Sequence, residues 1–190
     1  MKPIIFSTPM VQAILDGRKT MTRRVMKPNA MSFTVTDKNR PNILSIDGVG
    51  VFLAPYKPGD VLWVRETFFE YKGKYHYKAD DKHKALDIIL GSSFFKWHPS
   101  IFMPREAARL YLKVTDLRAE RVQDISTSDC ERESIASDID RFNGLMTPHH
   151  DWIVGEFSRL WDTINAKRGY GWDTNCWVWV VGFERIDRPE

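Results

Sequence analysis

From Asp151 to Ala166 six large apolar side chains, Trp152, Ile153, Phe157, Leu160, Trp161 and Ile164, recur at helical spacing, and Gly169 follows as a stop. A helix with so wide an apolar face is stable only when that face is buried against another layer. The chain offers such a layer as β-rich runs toward both ends: Ile4 to Phe6, Thr20 to Val25, Val61 to Phe69, Arg109 to Val114 continuing through Leu117 to Val122, and Trp177 to Glu184. Strands at both ends with helices between predict an α+β fold, a mixed barrel packed by two or three helices.

A chain of 190 residues, 43% hydrophobic and 28% charged, buries roughly 70% of its unfolded surface and needs no staple to hold a core. One domain over residues 1–190 is the expectation. Cys130 and Cys176 lie too far apart in sequence to form a CxxC pair, which argues against a zinc or redox site. Neither a secretory leader nor a run of about 18 apolar residues is present, so a cytoplasmic protein with reduced thiols is expected. The net charge of +3 is small, and its distribution matters more. Arg18, Lys19, Arg23, Arg24 and Lys27 form a cationic run without an acid among them, suited to phosphate or another anion, or else an ordinary solvated face.

Thr8 and Pro9 mark the start of a first helix, with Met10, Val11, Ile14 and Leu15 on its inner stripe and Gly17 as its end. Residues 28–57 read as irregular hairpin structure. After the Pro58–Gly59–Asp60 turn, Val61 to Phe69 is expected to pair with Tyr75 to Lys78 across a Lys72–Gly73–Lys74 bend. A short helix is expected near 84–90, then the proline loop KWHPSIFMP. Ser126 caps a helix containing Asp129, Glu131 and Glu133, and residues 137–150 form an exposed connection. His149 and His150 are read as solvent-exposed rather than metal ligands.

The motif GRKTMTRR, residues 17–24, carries the chemistry of most interest. A threonine hydroxyl attacks nothing until a base takes its proton, and a lysine serves as that base only if burial or nearby cations lower its pKa. In a continuous strand residues 19 and 22 would face opposite ways, so Lys19 has to lie in the turn after the helix. Taken bare, the motif is weak evidence for catalysis and fits a structural role or simple anion binding better.

The motifs GRKTMTRR, PGDVLWVRETF, WHPSIFMP, VQDISTSDCERESI and WVWVVGFERI, spread over nearly the whole chain, together resemble the ASCH domain family, especially its larger bacteriophage and prophage members. That resemblance implies a PUA-like barrel with flanking helices, a role in nucleoside or nucleic-acid recognition, and no cofactor. Some small bacterial members are amidohydrolases acting on N4-acetylcytidine. Carried over by motif, Lys19 is the base, Thr22 the nucleophile or water activator, and Glu133 the acid and base that assists departure of the cytosine amine, with Glu131 close enough to compete. Related phage sequences tend to carry a glycine after that glutamate, where this chain has Ser134.

Arg18, Arg23 and Arg24 could supply the cations that lower the Lys19 pKa and bind the ligand. At most one of Arg65 and Glu66, which alternate on a strand, would face its pocket, a surface ion pair being the alternative. Trp97, Ser100 and Met103 of the proline loop would wall it, Trp97 stacking on a base or plugging the barrel end. Segments near 28–57, 79–105 and 137–175 are additions to the smallest members. A non-catalytic module binding RNA or single-stranded DNA, and a ribonuclease, remain the alternatives.

Overall fold

The computed structural model of the chain describes residues 1–27, 43–46, 50–80, 96–135 and 150–189. The elements run β1 (Lys2–Ile5), α1 (Thr8–Leu15), β2 (Met21–Val25), β3 (Ile43–Ile46), β4 (Gly50–Leu53), β5 (Val61–Arg65), β6 (Phe68–Tyr71), β7 (Lys74–Tyr77), β8 (Tyr111–Arg121), α2 (Thr127–Arg132), α3 (His150–Asn165) and β9 (Trp177–Ile186). The fold is α+β, with a five-stranded mixed sheet in the order β1-β5-β8-β9-β2 and two hairpins, β3-β4 and β6-β7. No helix among the described residues is long and apolar enough to cross a membrane. The helix expected near 84–90 and nearly all of the 137–150 connection, His149 included, lie outside the described residues.

Two compact units make up the chain, each gathered from separate stretches. The first comprises Met1–Lys19, Val61–Lys113 and Glu184–Glu190, the second Thr20–Asp60 and Val114–Phe183.

In the first unit β1 pairs parallel with β5, and β5 antiparallel with the start of β8. Helix α1 begins at Thr8 behind Ser7 rather than with Thr8 as its cap, and Pro9 occupies the first turn, where a missing N–H costs nothing. It ends in a Schellman motif: Gly17 at φ +73° donates to the Ile14 carbonyl and Arg18 to that of Ala13. Lys19 N–H then donates to the same Ala13 carbonyl, so Lys19 lies in the turn and not on the strand.

The strand expected over Val61 to Phe69 is broken at Glu66 and Thr67. The Glu66 N–H donates to the Met103 sulfur at 3.1 Å instead of continuing a ladder, and beyond the break β6 pairs with β7. Lys72 and Gly73 close that hairpin with two positive φ angles, 51° and 71°, the geometry that matches the twist of paired strands.

In the second unit β2 pairs antiparallel with β9, from Met21 opposite Gly182 to Val25 opposite Val178. Beneath that pair Met21, Val122, Ile125, Ile153, Phe157 and Trp161 share one buried cluster. The apolar stripe of α3 is narrower than its spacing suggests, because Trp152 and Ile164 stay largely exposed. Burying each of the inner large side chains contributes about 1.5–3 kcal/mol. Ser126 caps α2 by accepting from the Asp129 N–H at 3.1 Å, as its sequence predicts.

Candidate functional site

Alternation along β2 decides where its side chains go. Met21 enters the core under α2 and α3, so Arg23 follows it to that face, while Thr22 and Arg24 alternate to the other. Arg23 is therefore an internal cation, its side chain only 1% exposed. Its guanidinium donates to Glu120 of β8, to Asp129 of α2 at 2.6 Å and to Glu133 at 3.5 Å, and lies 5.7 Å over the Phe157 ring. Arg118 bridges the same pair from outside, donating to Glu120 at 3.0 Å and to Asp129.

Arg23, Glu120, Arg118 and Asp129 thus close a ring of two cations and two anions. A lone buried charge would cost several kcal/mol, whereas this ring neutralises itself and braces strand against helix. Arg23, expected to contact an anionic ligand, is turned inward and saturated by the protein's own carboxylates.

Glu133 sits just outside that ring, and its position is fixed by the end of α2. It is the C-cap; Ser134 N–H donates to Glu131 and Ile135 N–H to Cys130, a Schellman motif with serine at φ +70° where glycine is usual. Glu131 is exposed, so of the two competing glutamates the buried one is Glu133. Adjacent to it, Arg132 receives the Thr20 N–H on its carbonyl at 2.9 Å and directs its Nε–H to the Thr20 hydroxyl at 3.4 Å. The chain entering β2 is consequently stitched to the end of α2, two residues before Thr22.

Burial lowers the Arg24 guanidinium from its ordinary range, against the raising pull of Tyr56 and Glu133 and with Arg168 repelling it. The Tyr56 hydroxyl is in turn pushed up by burial, and Arg24 partly offsets this. Cys130, at the base of the cluster, is pushed up to about 12 by burial, Arg23 pulling it down while Glu133 and Asp129 raise it. Such a thiol stays protonated and inert.

Among the residues expected to matter, Lys19, Thr22 and Glu133 are all buried, at 2%, 3% and 6% exposure. Arg18 is half-exposed and paired with Asp16 at 2.8 Å.

The remaining expected residues belong to the first unit. Arg65 holds the proline loop by donating to the Ile101 carbonyl. Glu66 is buried and takes a bidentate pair of bonds from Arg109 at 2.9 and 3.0 Å; Arg109 also donates to Asp80 at 2.6 Å and lies 4.0 Å from the centre of the Tyr77 ring. Burial raises the Glu66 carboxyl, and the Arg109 bonds restore only part of that shift. Arg109 was not foreseen, because a single arginine opening a strand carries no signal of the partner 43 residues earlier. Met103, expected to wall the pocket, is buried in a core cluster with Phe68 and Ala107. Trp97 is half-buried, edge-on to Phe69 at 4.9 Å with the Lys78 ammonium 5.9 Å from its ring, and Ser100 opens a short 3-10 turn.

No protein-family model matches the chain, and no curated protein does. Among solved structures, a protein of the DUF984 family from Enterococcus faecalis V583 is similar over 93% of this chain and 66% of its own, at 11% identity and a TM-score of 0.43. The chain thus spans just under two thirds of that protein, and a likeness this slight carries neither fold nor activity across.

Proposed function

We propose that the chain is a cytoplasmic ASCH domain protein, PUA-like in architecture, that recognises a nucleoside or nucleic-acid segment and hydrolyses the amide of an N4-acylated cytidine or similar modified nucleoside. The observation that supports this reading is the stitching of Thr20 to Arg132, which brings the strand bearing Thr22 to the end of the helix bearing Glu133 although 110 residues separate positions 23 and 133. Spacing alone would never join them, and the resemblance pairs them. Both side chains are buried polar groups, which a fold retains only where partners or chemistry compensate for lost hydration.

In the reaction so read, Thr22 holds the water that attacks the acyl carbon, or attacks it itself to form an ester that a water then hydrolyses to release the acid. Lys19, one residue before Thr20 and carried over by motif, takes the proton. Glu133 returns a proton to the departing cytosine amine. Arg23 of the self-neutralised ring holds the Glu133 carboxylate, donating to it at 3.5 Å, without itself touching the ligand.

Incubation with N4-acetylcytidine tests this. The wild type releases cytidine and acetate, and Lys19→Ala, Thr22→Ala and Glu133→Ala each lose at least about a hundredfold, the usual size of a general acid–base contribution. A second reading, a binding module for RNA or single-stranded DNA, is favoured by Trp97 with the Lys78 cation over its ring. It becomes the better account if no acylated nucleoside is turned over while a single strand binds with steep salt dependence.

A further inference from the structure

Four arginines are ion-paired with carboxylates: Arg18 with Asp16, Arg23 with three acids, Arg109 with Glu66 and Asp80, Arg118 with Glu120 and Asp129. Two others stand together in one place. In the first unit Arg105 and Arg188 line a cleft of about 430 Å³ together with Met1, Tyr111 and Pro189, with no acid lining it among the described residues. Neither guanidinium forms an ion pair among the described residues; Arg105 has only the Met1 sulfur, at 3.8 Å.

We propose that this cleft binds an organic phosphate, the phosphoryl group held between the Arg105 and Arg188 guanidinium groups and a flat ring lying on the Met1, Tyr111 and Pro189 walls. Two arginines that line one cleft, neither of them ion-paired among the described residues, leave positive charge there that an arriving phosphate neutralises. Guanidinium forks match phosphate oxygens in bidentate geometry, and apolar walls strengthen the field that draws the anion in. The volume falls in the range of small-molecule sites and leaves room beyond a bare ion.

The floor is rigid. Tyr111 is buried with Trp63 and Ala108, and its hydroxyl donates to the Ala108 carbonyl at 3.2 Å. Arg105 follows a loop pinned on both sides, by Arg65 on the Ile101 carbonyl and by Tyr77, whose hydroxyl donates to the Ala107 carbonyl at 2.6 Å. Little ordering is left to be done on binding. The same loop presents Phe102 at 65% exposure three residues before Arg105, a surface on which the next base of a strand would stack.

None of these residues takes part in the reaction proposed above, so the two readings fail separately. The test is calorimetric titration of the full chain with inorganic phosphate, adenosine 5′-monophosphate, adenosine and a short single-stranded oligonucleotide. The monophosphate is expected to bind at least about tenfold more tightly than adenosine, and Arg105→Ala and Arg188→Ala each to weaken it about tenfold, the effect of one charge-assisted hydrogen bond. Turnover of N4-acetylcytidine should not change in either variant. Tighter binding of the oligonucleotide than of the monophosphate identifies the source as a strand's phosphodiester, and the reverse a free nucleotide; both support the site. Equal binding of monophosphate and adenosine, or undiminished binding by Arg105→Ala and Arg188→Ala proteins with unchanged melting curves, overturns it.

Discussion

Ser134 takes a φ of 70° at the first position past the C-cap of α2, held there by the hydrogen bonds of Ser134 to Glu131 and Ile135 to Cys130. A side chain with a Cβ pays about 1 kcal/mol or more in that left-handed region, and glycine does not. Ser134→Gly should therefore raise the unfolding free energy by up to about 1 kcal/mol, part of the gain being offset by the looser unfolded chain. Urea unfolding checks it, and a variant no more stable than wild type contradicts the left-handed assignment. This position was marked only by the resemblance, whose phage members tend to carry glycine after the glutamate, and the positive φ gives a physical reason. Arg23 was not legible, because a run of cations does not say which of them the fold turns inward; only the burial of Met21 two residues earlier settles that.

The elements were mostly readable where a local signal marks them, as Ser126 does for α2 and Lys72–Gly73 for the β6-β7 hairpin. They were misread where a tertiary contact intervenes, as Met103 does by taking the Glu66 N–H and ending β5. The Arg23 ring ties β2, β8 and α2 together, so replacing Arg23 with methionine leaves acids in the interior facing a single remaining guanidinium. A loss of about 3–5 kcal/mol is expected from calorimetric or denaturant unfolding, and Arg23→Lys should recover little because an ammonium cannot reproduce the fork. A loss under about 1 kcal/mol would mean the ring contributes little.

Glu66 gives a test by pH. Its carboxyl is raised from the ordinary value of 4.5, chiefly by burial, so the folded state favours the protonated form more than the unfolded chain does. Its contribution is fully present below that ordinary value and declines as pH climbs through the higher folded value. The stability of wild type relative to Glu66→Gln should accordingly fall with rising pH above about 4.5; a flat or rising difference sinks this assignment.

At the scale of the whole molecule the sequence supports an α+β chain, but not its division into two units, each drawn from stretches that alternate along the chain. Periodicity reports only neighbours within a few turns, whereas the contacts that place Glu133 span 106 to 112 residues. The resemblance to a family supplies the expectation that Thr22 works with Glu133, which periodicity could not. Whether that pairing performs hydrolysis is tested most directly by single-turnover release of cytidine from N4-acetylcytidine, comparing wild type with Thr22→Val, which keeps the volume and removes the hydroxyl. Cytidine release by the wild type, with at least about a hundredfold slower release by a Thr22→Val protein of matched melting temperature, is the predicted result. Equal rates in the two proteins, or no release by either, would contradict it.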